Sequence, residues 1–138
     1  MRQLKFRAWT RFSSIYRMDY LSGFFFYGTD SDQIHLFLPN DGADFLVPSA
    51  NVILMQFTGL VDSNGNDIYE GDIIAIDDKT TYKVYWDAEN CYWAILSKQG
   101  DEHGPYGGAL IQNTGYSRSR KRVVLGNIYQ NPDLLTEE

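Results

Sequence analysis

The sequence predicts a mainly β protein: a small SH3-like barrel core, an additional N-terminal β region and a short C-terminal helical turn. Three observations carry this. Almost every patterned segment is short and alternates with a period of two, which is the spacing of a strand with one buried face. Rings make up 15% of the chain (ten Tyr, eight Phe, three Trp), and rings pack well on a pleated surface. No amphipathic stretch of helical length and no 20–50-residue repeat is visible.

Taken in order, Leu4, Phe6 and Ala8 alternate with Lys5, Arg7 and Trp9, predicting a first strand with one basic face. Ile15 to Tyr20 is a second strand. Gly23-Phe24-Phe25-Phe26-Tyr27-Gly28 is a ring-rich run bounded by glycines, which suits a buried strand. Ile34 to Leu38 follows, then a turn at Pro39-Asn40-Asp41-Gly42. Phe45 to Val47 stops at Pro48. Val52 to Phe57 reads as a strand from its β-branched and aromatic content, although Ser49 is placed to cap one helical turn through Ala50 and Ile53.

Asp62-Ser63-Asn64-Gly65-Asn66 is a turn: Asn-Gly tolerates positive φ, and Asp62 can accept bonds from the backbone ahead of it. Gly71-Asp72 launches a strand over Ile73 to Ile76, and Asp77-Asp78-Lys79 turns the chain. Residues 82–96 form the clearest hairpin, with Asp87 to Asn90 at its tip and Cys91 opening the return strand as a half-buried residue. Five glycines between 97 and 119 predict a long surface loop with at most one short strand near Ala109 to Gln112. Val123 to Tyr129 is the last strand. Asn131 as cap, Pro132 and Asp133 predict a closing helical turn. Residues 1–54 are expected as a variable N-terminal β region with a part in oligomerisation. Residues 55–138 are expected as the barrel-like core, with Ile73, Tyr82, Val84, Trp86, Trp93 and Val124 in or near its centre.

Three ordered segments resemble the YopX family of phage and prophage proteins. They are Leu4-Lys5-Phe6-Arg7-Ala8-Trp9, then Met55 to Asp62 running into Ile68-Tyr69-Glu70-Gly71-Asp72-Ile73, and finally Gly126-Asn127-Ile128-Tyr129-Gln130-Asn131-Pro132-Asp133-Leu134-Leu135. The resemblance spans nearly the whole chain and departs at 19–51 and 97–119. It implies a small, mostly β phage-type protein. It carries over no catalytic residue, because the family is linked to no established activity.

Charge is unevenly placed within a net −6. Residues 1–17 hold five basic residues and no acid, whereas 18–78 hold eleven acids and no Lys or Arg. Opposite blocks invite pairing, within the fold or between subunits, and each block is equally readable as a solvated face. Cys91 is the only cysteine, which excludes an intramolecular disulfide and fits a reducing cytoplasm. No 18-residue apolar run spans a membrane, and no apolar block follows the first charges as in a leader. Localisation is therefore expected to be the host cytoplasm, without membrane partners.

Several chemistries fail on spacing. An EF-hand loop beginning at Asp62 needs glycine at position 67 and glutamate at position 73, where Asp67 and Ile73 stand. A looser oxygen site from Asp62, Asn64 and Asp67 competes with the plainer reading that these groups bond their own turn. His35 and His103 form no paired ligand motif, and no Gly-Lys-Ser or Gly-Lys-Thr marks a phosphate loop. Glu70 and Asp72 are a carboxylate pair in search of a cleft. No cofactor and no metal is expected, and the chain reads as non-enzymatic.

Arg118-Ser119-Arg120-Lys121-Arg122 is the best candidate contact segment. Four cations in five residues suit phosphates, with Trp9, Tyr85 and Trp93 as stacking surfaces for single-stranded bases. Against it, the sequence pI is about 4.8, the reverse of a nucleic-acid binder. The leading expectation is a binding or assembly module that forms a homo-oligomer. A phage or host protein, or nucleic acid met by Arg118, Arg120, Lys121, Arg122, Trp9 and Tyr85, is the alternative partner.

Overall fold

The computed structural model describes residues 3–39, 43–76, 80–101, 104–109 and 121–135. It is mostly β, with a curled half-barrel sheet and no helix beyond 3₁₀ turns among those residues. The chain divides into two compact units, Met1–Phe57 and Thr58–Glu138.

In unit 1, β1 (Phe6–Phe12) and β2 (Ile15–Leu21) form a hairpin closed by Ser13 and Ser14, with Ser13 at φ 60°. The other side of β1 pairs with the start of β6 (Val52–Val61), Phe6 opposite Gln56. A second, three-stranded sheet has the order β3 (Gly23–Tyr27), β4 (Gln33–Phe37), β5 (Asp44–Pro48). Register sets Phe24 across from Leu36 and Phe45, and Phe26 across from Ile34 and Val47. Strand alternation then sends those residues to one face. Ala8, Ile34, Leu36 and Val47 form the core there, with Phe12, Leu21, Phe24, Phe45, Val52 and Leu54 packed around them.

One feature is added and one expectation changes here. The basic residues Arg7 and Arg11 do share one face of the first strand, but Arg7 is only 3% exposed whereas Arg11 is exposed. Strand β3 is not a buried strand, since Phe25, Phe26 and Tyr27 are all exposed. Phe25 and Tyr27 point to the face away from the core, and Phe26, on the core side, is still half exposed at the open edge of the sheet. The Pro39–Gly42 turn lies outside the described residues apart from Pro39; its flanks are joined by Leu38 N–H donating to Ala43 O at 3.0 Å. The Ser49 turn exists as a 3₁₀ turn over Ser49–Asn51, but Ser49 Oγ donates to Ser31 O and caps nothing.

In unit 2, the end of β6 is followed by β7 (Asp67–Tyr69), a strand the sequence reading missed. A five-stranded sheet follows in the order β11 (Gly104–Ala109), β10 (Tyr92–Asp101), β9 (Thr80–Asp87), β8 (Asp72–Ile76), β12 (Arg122–Asn127). Every residue of β8 is buried, as expected of a strand paired on both edges and covered on both faces. The core gathers Ile68, Ile74, Ile76, Val84 and Ile95, with Leu60, Tyr82, Trp93 and Val124 against it.

Trp86 sits at the rim, 43% exposed, edge-on to Trp93 with centroids 5.1 Å apart. The expected loop from 97 is instead strand over the described residues to 109: β10 runs on to Asp101 and pairs with β11, with a register shift between Leu96 and Gly100. Glycines weaken strand propensity, but ladder bonds to a neighbouring strand supply what propensity lacks. Cys91 is not a half-buried strand residue. It is exposed in the hairpin tip at φ 57°, its N–H donating to Asp87 O at 2.7 Å. The closing turn is a 3₁₀ turn over Pro132–Leu135; Asn131 Oδ1 reaches back to Asn127 N–H instead of capping it. The Asp77–Lys79 turn lies outside the described residues.

Candidate functional site

Strand alternation gives the three-stranded sheet of unit 1 an outer face. Phe25, His35 and Leu46 lie across from one another there, beside Phe37 and Asp44 in one row and Tyr27 and Gln33 in the next. His35 stacks on Phe37 at 4.5 Å with planes 7° apart. Phe25 lies 5.2 Å from His35, 5.7 Å from Phe37 and 6.1 Å from Tyr27. Tyr27 and Leu46 are each at least half exposed. The result is a contiguous ring cluster on one sheet face. His35 Nε2 lies 3.5 Å from Asp44 Oδ2, too far to be a hydrogen bond, and is buried without a hydrogen-bond partner. No nucleophile adjoins it among the described side chains. The arrangement can pack against a surface.

The sequence reading missed this face because Phe24-Phe25-Phe26-Tyr27 has no alternation to read. The signal lay one strand later: Ile34 and Leu36 alternate with His35 and Phe37, so one face of β4 had to be different. A shallow hollow of about 270 Å³ opens nearby, lined by Leu4, Lys5, Phe6, Leu21, Ser22, Gly23 and Phe24. Lys5 is its one charged side chain, and its Nζ lies 4.8 Å above the Phe57 ring.

Arg118 and Arg120 lie outside the described residues. Lys121 is exposed at the head of β12. Arg122 is tied in by its backbone: its N–H donates to Ser63 Oγ at 2.8 Å, and its carbonyl accepts Ser63 N–H at 2.8 Å. Burial lowers the pKa of its guanidinium, and the nearby Asp62 charge works the other way. Arg122 lies opposite Ile76, and Ile76 opposite Thr80, so Tyr85 is five residues further along β9, about 17 Å away. Those two do not converge. Tyr85 is half-buried, with its phenol pKa raised by burial, then by Asp87 and Tyr92. Trp9, in unit 1, is half-buried with one ring face against Tyr16 at 5.6 Å.

Two of the carboxylates singled out in the sequence, Asp62 and Asp72, are turn fasteners. Asp62 Oδ1 accepts from Asn64 N–H and Asn66 N–H, and Oδ2 from Asn66 Nδ2 and Val124 N–H. Four donors leave no open coordination edge for a cation. Asp72, 2% exposed, accepts Tyr69 N–H at 2.8 Å. Asn127 Oδ1 accepts from Tyr129 and Gln130 N–H. No group of three or more His, Cys, Asp or Glu able to hold a metal occurs among the described residues. None of their helices is long and apolar enough to cross a membrane.

A structure of protein EF1440 from Enterococcus faecalis is similar, with TM-score 0.60 and 23% identity, covering 98% of this chain and 99% of that one. Protein yopX from Bacillus subtilis is similar with TM-score 0.57 and 21% identity over 98% and 99%. No curated protein matches. The family model described as YopX protein matches residues 5–136, and with nearly the whole chain inside that match, the chain belongs to the YopX family.

Proposed function

We propose that this protein is a non-enzymatic binding or assembly module that acts in the cytoplasm by associating with copies of itself. The observation that carries this is the ring cluster of Phe25, Tyr27, His35 and Phe37, bordered by Leu46, on the outer face of the β3–β4–β5 sheet. Isolated exposed apolar side chains are ordinary; touching rings gathered on one sheet face are a mark of a contact surface. That Asp62 and Asp72 are spent on turns further supports a role without chemistry. The test is sedimentation velocity across a wide concentration range. Concentration-dependent association that falls when Phe25 and Leu46 become Ser supports the reading. A monomer at every concentration and salt ends it.

A further inference from the structure

Strand β2 is the outermost strand of its sheet. It pairs with β1 on one side, and no strand flanks its other side among the described residues. Natural edges are commonly blunted by proline, by bulges or by charges that face inward. This strand has no proline, and its pairing with β1 runs without a register shift over all seven residues; its two charges, Arg17 and Asp19, do lie on the core-facing side, but they are paired with each other. Ile15, Tyr16 and Tyr20 are between half and two-thirds exposed.

By chemical type the strand reads nearly the same in both directions: Ile15 and Leu21 at the ends, then Tyr16 and Tyr20, then Arg17 and Asp19 around Met18. The backbone fixes which registers are open to it. In a two-residue hairpin the closing pair, here Phe12 and Ile15, exchanges both hydrogen bonds, and such pairs recur at every second residue. Ile15, Arg17, Asp19 and Leu21 therefore direct their backbone groups to β1, while Tyr16, Met18 and Tyr20 direct theirs the other way. Antiparallel pairing of two such edges must set these outward residues against each other. Centring the pair on Arg17 puts Arg against Arg, and centring it on Asp19 puts Asp against Asp. Centring it on Met18 puts Arg17 opposite Asp19 of the second copy, twice, with Tyr16 opposite Tyr20 and Ile15 opposite Leu21. One register is favoured by charge, and its neighbours are penalised by it.

Arg17 is already held for this. Its Nε meets Asp19 Oδ2 at 2.7 Å, and its guanidinium lies over the Phe12 and Phe45 rings at 4.7 and 4.9 Å. A second copy meets an ordered charge pair, which lowers the entropic cost of the contact.

We propose that two copies pair through β2, antiparallel about a two-fold axis at Met18, joining their sheets into one. This rests on the self-association reading above and adds to it a second contact, on a different sheet from the ring cluster. Sedimentation velocity on the full chain tests it with R17D and D19R, each of which sets like charges across the axis. Each alone is expected to weaken association at least about tenfold. The exchanged R17D/D19R chain, and an equal mixture of the two single variants, are expected to regain it. Arg17 also packs on two rings, so M18P provides a second route: it removes the N–H at the axis and spares every bond to β1. It is expected to stay folded by circular dichroism and to lose the same association step. If wild type is monomeric throughout, self-association and this contact fall together. If wild type associates and R17D, D19R and M18P associate equally well, this contact alone is overturned. Single variants that weaken without rescue by exchange or mixing overturn the Met18 register.

Discussion

The carboxylate of Asp62 accepts the backbone N–H of Val124 at 3.0 Å, across 62 positions of sequence. The same side chain accepts two N–H groups of its own turn. D62A leaves the half-buried Val124 N–H, and the Asn64 and Asn66 N–H groups of the exposed turn, without this acceptor. It is expected to cost about 1–3 kcal/mol in urea unfolding.

The same group gives a pH dependence. Burial alone would raise the Asp62 pKa, but the bonds from Val124, Asn66 and Asn64 outweigh it and hold the folded value below the usual 3.8. The unfolded chain therefore takes up the proton first. The stability this carboxylate contributes is whole above pH 3.8 and is lost as pH falls through the folded value. The stability gap between wild type and D62A, measured by denaturant titration, should be flat near neutrality and shrink only in strong acid.

Gly126 has no room for a side chain: a Cβ there collides with the side chain of Asn131, whose Oδ1 holds Asn127 N–H. G126A is expected to destabilise by about 1–3 kcal/mol. Trimming the neighbour should relieve part of that. A double-mutant cycle of G126A with N131A should show a coupling of at least about 0.5 kcal/mol.

Cys91 occupies left-handed backbone at φ 57° with its side chain exposed. Glycine adopts that conformation without a Cβ penalty, so C91G should raise stability by up to about 1 kcal/mol. In the native wild type the thiol should react stoichiometrically with a chromogenic disulfide, with no denaturant present.

Assembly through sheet surfaces gives nucleic acid no part. Labelled single-stranded DNA is expected to show no anisotropy change with wild type at low salt. Binding that vanishes with salt, and when Arg118, Arg120, Lys121 and Arg122 all become Ala, would replace the proposed function with the alternative.

What was legible in the sequence was local. The Asp62–Asn66 turn and the 82–96 hairpin announce themselves because their residues bond within a few positions of each other. What was not legible depended on distant neighbours. Arg7 looks solvated until β2 and β6 close around its strand. The rings of β3 look buried until only one of its faces finds a core. The glycines of 104–108 look like loop until β10 lies beside them. The pairing potential of β2 was present in seven letters, but it has meaning only once that strand is known to be the last in its sheet.

Strand β8, buried at all five positions, lies between β9 and β12. During synthesis on a ribosome, unit 1 has all of its own residues once Phe57 has emerged, and it can close early. Unit 2 must wait. The half-barrel holds Ile73 and Ile74 with one flank uncovered until Arg122 to Asn127 arrive, and through that interval the nascent chain presents its most adhesive ribbon to whatever chaperone or neighbour is at hand.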